Sequence, residues 1–342
     1  MTLAKKGEAM VKKVKLGDAS VTAVAYGCMG LSQAYEPCDE ARGIKTLNAV
    51  LDMGYDHLDT AALYGFGKNE ELLNKAIGHR RSEYFLASKC GLYRDASGKR
   101  EINGRPEVLT KTCEDSLRRL GTDCIDLYYL HRIDLNVPVE ESLGALMEMK
   151  DQGKIRFIGL SEPSPETLIK ALDICPIAAV QSELSLWTRQ PNVAVSEVCK
   201  ENHVAFVSYS PLGRGFMGGA VRDMSALGEK DIRHTMPRFQ GSDFTTNLER
   251  LDQLSNLASE HDLTVAQLAL AWVLAQGDHI LAIPGTRFED RAKENLDAAS
   301  VSVSHDIISQ AGQILSPDTI IGERWTEVIL REVDSELYRF AS

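Results

Sequence analysis

Lys89 closes the run YFLASK (84–89), where five residues suited to a protein interior lead straight into a primary ammonium. Lysine is among the side chains least often buried without a partner. Other polar residues close comparable apolar runs: Asp59 in HLDTAA (57–62), with Tyr64 five residues on, His131 in CIDLYYLH (124–131), Ser161 in IRFIGLS (155–161) and Gln181 in AAVQSEL (178–184). Tyr209 and Ser210 end VAFVSYS (204–210), and the turn PGTR (284–287) follows HILAI (279–283). Taken singly, Asp59 reads as a turn cap, Lys89 as a strand-end lysine reaching for water and His131 as a satisfied core histidine. Their shared position at run ends asks for a joint explanation.

The residue types supply one. A tyrosine hydroxyl, with a reference pKa of about 10, donates a proton near neutrality but shuttles it poorly unless its anion is favoured. An ammonium from Lys89 beside Tyr64 is expected to favour the phenolate and lower that pKa, while Asp59 holds Lys89 charged and oriented. His131 is placed to offer an N–H to a carbonyl oxygen. The set suits proton delivery to a carbonyl oxygen while a hydride reaches the carbon, and since no side chain carries hydride, a nicotinamide cofactor is implied.

Such a constellation needs a scaffold that gathers run ends. Together with VTAVAYG (21–27) the apolar runs number eight. Between them lie segments of helical spacing, such as Ala41, Ile44, Leu47 and Leu51, or Leu72, Leu73, Ala76 and Ile77 before Gly78. Further helices are expected around 105–120, 140–152, 192–202, 247–260 and 289–298, with Ser164–Pro165 as a helix start and Thr264 with Gln267 as a capping box. Eight strands alternating with helices, apolar on both faces, predict an α/β fold of the closed parallel (β/α)8 TIM-barrel type, with active residues at the C-terminal strand ends. No G-x-G-x-x-G follows the first run, which weighs against an open dinucleotide-binding sheet. We expect a single domain over 12–342 with an N-terminal β-hairpin, a flexible N-terminus over 1–11, a mobile covering loop over 212–246 and a helical tail after about 300.

Composition narrows the partners. The chain has 342 residues and a formal charge of −11, so nucleic acid and anionic membranes are unfavourable partners and any bound anion requires a local basic cluster. No apolar run reaches membrane-spanning or signal-peptide length, so a cytoplasmic protein is expected. Seven cysteines form no C-x-x-C pair and suggest neither a disulfide framework nor a zinc site.

The motifs DTAALYG (59–65), LASKCG (86–91), LGTDCIDLYYLHRID (120–134), GKIRFIGLSE (153–162), VQSELSLWTR (180–189), YSPLGRG (209–215) and AIPGTRFEDRAKEN (282–295) resemble, in order, the signatures of the aldo-keto reductases. The likeness runs from about residue 12 to at least 300, and GERW (322–325) resembles the tail of the branch in which LHR follows the fourth strand. It implies a (β/α)8 barrel, NADPH-dependent reduction of aldehydes and ketones, and a tetrad of Asp59, Tyr64, Lys89 and His131.

By the same resemblance Asp59, Ser161 and Gln181 lie at the nicotinamide and its carboxamide, Tyr209 stacks on the ring, Gly27 and Met29 form a turn beneath it, and Ser210 with Leu212 follows the pyrophosphate. Gly285, Thr286, Arg287 and Arg291 fall at the 2′-phosphate, with Glu294 and Asn295 at adenosine. The substrate pocket is expected from Tyr26, Met29, Tyr64, His131, Arg132, Trp187, Phe216 and Trp325. Three positions depart from the pattern: Glu162 replaces a common asparagine, Phe288 a common basic residue and Ala62 a common acid. Partners are a small aldehyde or ketone, with a monomer or weak homo-oligomer expected. Two other readings compete, a Schiff-base lyase using Lys89 as nucleophile and an NADPH-binding regulatory subunit.

Overall fold

The computed structural model describes residues 11–36, 38–94, 100–189 and 192–336. The N-terminus expected to be flexible lies, except for Val11, outside the described residues.

An antiparallel hairpin of β1 (Lys13–Leu16) and β2 (Ala19–Thr22) precedes an eight-stranded parallel sheet. Its strands are β3 (Tyr26–Gly27), β4 (His57–Asp59), β5 (Phe85–Cys90), β8 (Ile125–Leu130), β9 (Ile155–Ser161), β10 (Ile177–Glu183), β11 (Ala205–Tyr209) and β12 (Ile280–Ile283). A second hairpin, β6 (Leu92–Arg94) and β7 (Arg100–Ile102), follows β5. Every residue of β5 and β8 is buried, as expected for strands covered on both faces.

The sheet closes where the first run meets the last. Ala25 N donates to Ala282 O at 2.8 Å, Ala282 N to Ala23 O at 2.8 Å and Gly27 N to Pro284 O at 3.1 Å. A Cβ on Gly27 would lie 2.8 Å from the carbonyl of Ile283, and one on Gly285 would lie 2.6 Å from that of Gly27. Both glycines are therefore required by close backbone approach at the seam, whatever else they touch.

Around the barrel run α1 (Glu40–Asp52), α2 (Lys68–Ile77), α3 (Pro106–Leu120), α4 (Val139–Asp151), α5 (Pro165–Ile174), α6 (Asn192–Glu201), α7 (Gly241–Ser259), α8 (Val265–Leu274) and α9 (Glu289–Asp297). The predicted caps form: Ser164 Oγ accepts from Thr167 N at 3.1 Å, and Thr264 and Gln267 complete a reciprocal box. The tail carries α10 (His305–Ile314) and the single turn α11 (Glu327–Leu330).

The covering segment after β11 differs from expectation. It gives way to α7 at Gly241 rather than 247, and it is a packed structure rather than an open loop. Trp187 stacks on Phe216 at 4.5 Å and meets Phe239 edge-on at 5.6 Å, and Phe244 closes the group against Phe239 at 5.9 Å. Asp231 pairs with Arg233 at 2.6 Å inside it. Its glycines serve tight turns, with left-handed backbone at Gly213, Gly215 and Gly219.

Candidate active site

Parallel pairing brings the reactive residues side by side. Gly27 pairs with Asp59, Asp59 with Ala87 and Lys89 with Tyr129, so the ends of β3, β4, β5 and β8 stand level. Lys89 is fully buried. Its Nζ donates to Asp59 Oδ1 and, at 2.7 Å, to the carbonyl of Thr60, and lies 3.4 Å from Tyr64 Oη. The His131 ring stands edge-on to that of Tyr64 with centroids 6.0 Å apart. All members of the expected tetrad thus converge.

Tyr64 owes its place to an irregular turn. Gly65, Phe66 and Gly67 all have positive φ, an arrangement that throws Phe66 into solvent and starts α2 immediately afterwards. Asn69, buried in the first turn of α2, braces the loop: it donates to Cys28 O at 2.9 Å and Ser32 Oγ at 2.7 Å and accepts from Thr60 Oγ1 at 2.6 Å. Its neighbour Glu70 accepts from Ser88 Oγ and Arg119 Nε, both at 2.7 Å. Neither residue was among the expected site residues. Their only sequence signal is polarity on the inward face of an amphipathic helix.

Burial opposes a charge on Lys89, but Asp59 and Tyr64 together overcome it and raise the ammonium pKa above its ordinary value. Tyr64 departs from expectation. Burial raises its pKa by more than Lys89 lowers it, so the residue is held as a neutral phenol rather than tuned towards the anion. His131 is driven well below the usual imidazole range by burial and by the positive charges of Lys89, Arg132 and Arg100, and its Nδ1 has no partner. A protonated phenol and a neutral imidazole therefore face one another beside a permanent cation.

The ends of β9, β10 and β11 continue the site. Ser161 pairs with Gln181 across the strands, and Gln181 Nε2 donates to Asp59 Oδ2 at 2.7 Å, so Asp59 is gripped from two sides. Glu162 has φ of +55°, a conformation asparagine tolerates more readily than glutamate. Pairing holds it there. Arg324, from the tail, donates to both Glu162 oxygens at 3.0 and 2.9 Å, to Glu183 at 3.2 Å, to Glu336 at 2.7 Å and to Tyr209 Oη at 3.3 Å. Ser335 Oγ adds a bond to Glu162 at 2.6 Å. The departure at position 162 is thus explained by the tail, and the Glu162 carboxylate is fully engaged within the chain.

At the other end of the face Arg42 and Arg287 both lie over the Phe288 ring, 5.3 and 5.4 Å from its centroid. With Lys45, Asp39, Glu289 and Asp290 they line a cavity of about 540 Å³, in which Lys45 pairs with Glu289 at 2.8 Å. Arg291, expected beside Arg287, instead donates to Gly218 O of the covering segment at 2.8 Å. Arg42 and Lys45 of α1 thus share a cavity with Arg287, and they were not among the expected residues because the sequence separates them from Arg287 by most of the barrel. Thr286 is half-buried and its carbonyl accepts from Tyr26 Oη. Met29, Leu212, Ser210 and Glu294 are half-buried and Asn295 is buried. Ser210 has left-handed backbone and opens the turn containing Leu212.

Residues 23–315 match the model of the aldo/keto reductase family. The chain belongs to that family. This aldo/keto reductase is 39% identical over 317 residues to the NADP(+) aldo-keto reductase yakc of Schizosaccharomyces pombe, covering 91% of this chain and 93% of the relative. It is 38% identical over 322 residues to probable aldo-keto reductase 1 of Glycine max, covering 93% of each. Among solved structures it resembles the glycerol dehydrogenase of Gluconobacter oxydans, with a TM-score of 0.82, 29% identity and coverage of 91% and 98%. The holo aldo-keto reductase of Bacillus halodurans gives 0.74, 28%, 92% and 99%. The chain is accordingly an oxidoreductase with the TIM-barrel fold of its family.

Several expected pocket residues of this reductase lie elsewhere. Tyr26, Trp187 and Phe216 are buried in the interior: Tyr26 packs against Tyr55 at 5.7 Å, and the other two form the aromatic core of the covering segment. Large aromatic rings gain more from burial than from lining a wet cleft, which sequence position alone does not register. Trp325 is half-buried beneath Arg214, whose guanidinium lies 4.1 Å from the ring centroid. Arg132 and His131 sit together at the end of β8. No helix among the described residues is long and apolar enough to cross a membrane.

Proposed function

We propose that this reductase converts aldehydes and ketones to alcohols with NADPH, Tyr64 giving the proton and His131 orienting the carbonyl. The observation that carries the reading is the 3.4 Å approach of Lys89 Nζ to Tyr64 Oη, with the ammonium also held by Asp59 and Thr60. When bound, the nicotinamide supplies the hydride. Tyr64, held as a neutral phenol, transfers its proton to the carbonyl oxygen and becomes an anion beside Lys89. At that separation the attraction is of order 5 kcal/mol for an effective dielectric of about 20, present only once the proton has left. His131, neutral, donates one hydrogen bond to the same oxygen without adding charge.

The residues fit the cofactor. In a chain of charge −11, Arg42 and Arg287 share one concavity with Asp39, Asp290 and a Lys45 already paired with Glu289, so the two arginines are the groups suited to a 2′-phosphate, and left-handed backbone at Ser210, Gly213 and Gly215 suits a path for the pyrophosphate. Tyr209, half-buried with its hydroxyl held by Arg324, offers a fixed ring face. A Schiff-base role for Lys89 is disfavoured, because its raised pKa keeps the amine protonated and therefore non-nucleophilic. Loss of NADPH absorbance with an aromatic aldehyde tests the assignment. Tight NADPH binding without turnover would favour a regulatory subunit.

A further inference from the structure

Four buried arginines stand among the described residues, Arg132, Arg214, Arg233 and Arg324. Three have carboxylate partners: Arg214 with Glu183 at 3.5 Å, Arg233 with Asp231 at 2.6 Å and Arg324 with Glu162 at 2.9 Å. Arg132, 8% exposed, has none. Its Nη1 donates to the carbonyl of His131 at 2.6 Å and to Ser161 Oγ at 3.2 Å, both neutral acceptors. Its Nε finds no acceptor, and Nη2 makes no hydrogen bond within the described chain. Glu162 cannot serve, because its oxygens are taken by Arg324, Ser335 and the Glu183 amide.

Glu162 acts on Arg132 only through space, so the buried guanidinium keeps an open hydrogen-bonding edge, and leaving such an edge unfilled is costly unless a ligand completes it. The edge left open, Nε with Nη2, is the edge by which arginine grips a carboxylate through two parallel hydrogen bonds. It belongs to the residue next to His131, so an anion seated there lies beside the carbonyl that His131 orients.

Resting on the reductase reading above, we propose that Arg132 receives a substrate carboxylate, so that the preferred substrates are oxo acids bearing the carboxylate adjacent to the reducible carbonyl. A planar 2-oxo acid presents both groups on one face, one to Arg132 and the other to His131 and Tyr64. The reaction then balances as hydride from NADPH to carbon and proton from Tyr64 to oxygen, the carboxylate remaining unchanged.

The test compares phenylglyoxylate with its methyl ester, which share ring and ketone and differ in charge, using the full chain and NADPH. The acid is expected to exceed the ester in kcat/KM by about 10- to 100-fold, the worth of a charged hydrogen-bonded contact. Arg132→Met should collapse that ratio, and Arg132→Lys should restore part of it. Oxamate, a non-reducible analogue, should compete with the ketone in the wild type. Equal turnover of acid and ester by the wild type overturns the proposal, and this holds even if Arg132→Met fails to fold. Equal losses for both substrates in Arg132→Met, with weakened NADPH binding, also overturn it and assign the guanidinium to the cofactor. No reduction of either compound while an aromatic aldehyde is turned over overturns the oxo-acid proposal alone; no turnover of the aldehyde as well refutes the reductase reading itself.

Discussion

Lys89 Nζ lies 3.4 Å from Tyr64 Oη, yet its closest contacts are Asp59 and the carbonyl of Thr60. The ammonium is therefore fixed before any proton moves, and the phenol is its loosest neighbour. Tyr64→Phe removes the proton source while leaving that anchoring intact. Reduction should fall by about 10²- to 10⁴-fold, the usual worth of a positioned acid, with NADPH affinity measured by fluorescence titration nearly unchanged. Retained turnover would show that the proton comes from elsewhere.

The electrostatics fix the shape of the pH profile. His131 is held neutral far below the ordinary imidazole pKa, so kcat/KM for reduction should show no step near pH 6.5, a value of about the unperturbed histidine. Tyr64 is raised above its ordinary value, and the acid must be protonated to act. The alkaline decline should accordingly lie above the usual phenol range. A decline centred near neutrality would contradict both directions.

Cofactor preference should rest on α1 as much as on the approach to α9. Arg42→Ala and Arg287→Ala each remove a cation from the same cavity, and each should weaken NADPH by about 1.5–3 kcal/mol while sparing NADH. Arg291→Ala, whose guanidinium holds Gly218 O, should affect both cofactors alike through the covering segment. Isothermal titration of the variants with both nucleotides decides between these patterns.

His57 supplies a separate stability test. It is wholly buried, neither ring nitrogen has a partner, and burial lowers its pKa to about 4. Between that value and about 6.5 the unfolded chain takes up a proton that the folded chain refuses, so stability declines by about 3 kcal/mol as pH falls through this window. Urea unfolding of His57→Leu should show a shallower acid slope than wild type; parallel slopes would mean the imidazole is already charged in the fold.

Arg324→Met leaves Glu162, Glu183 and Glu336 without their shared cation. A loss of about 3–5 kcal/mol is expected from stranding buried carboxylates, read from denaturant midpoints. Glu162→Gln should recover part of that loss in the double variant, since it removes one of the stranded charges.

The strands, their order and the meeting of Asp59, Lys89 and His131 at one end of them were legible because each rests on local pattern: apolar runs of fixed length, each closed by its own polar residue. The capping pairs at Ser164 and Thr264 were legible for the same reason. What escaped was decided by long-range contact. Arg42 joins Arg287 only after the barrel closes, and Glu162 makes sense only beside Arg324. The direction of the Tyr64 shift was misjudged because sequence names the neighbouring charge but not the depth of burial, and burial dominates. Trp187 and Phe216, aromatic residues at strand-end loops, looked like cleft walls and proved to be the interior of a packed segment.

Synthesis runs in one direction, and Arg324 emerges long after the two glutamates it pairs with, Glu162 just past β9 and Glu183 at the end of β10. Until it arrives, Glu162 lacks the cation that grips both its oxygens, and the ends of β9 and β10 lack their tie to the tail. The tail thus supplies the last charge of a network whose other members all precede it in the chain except Ser335 and Glu336.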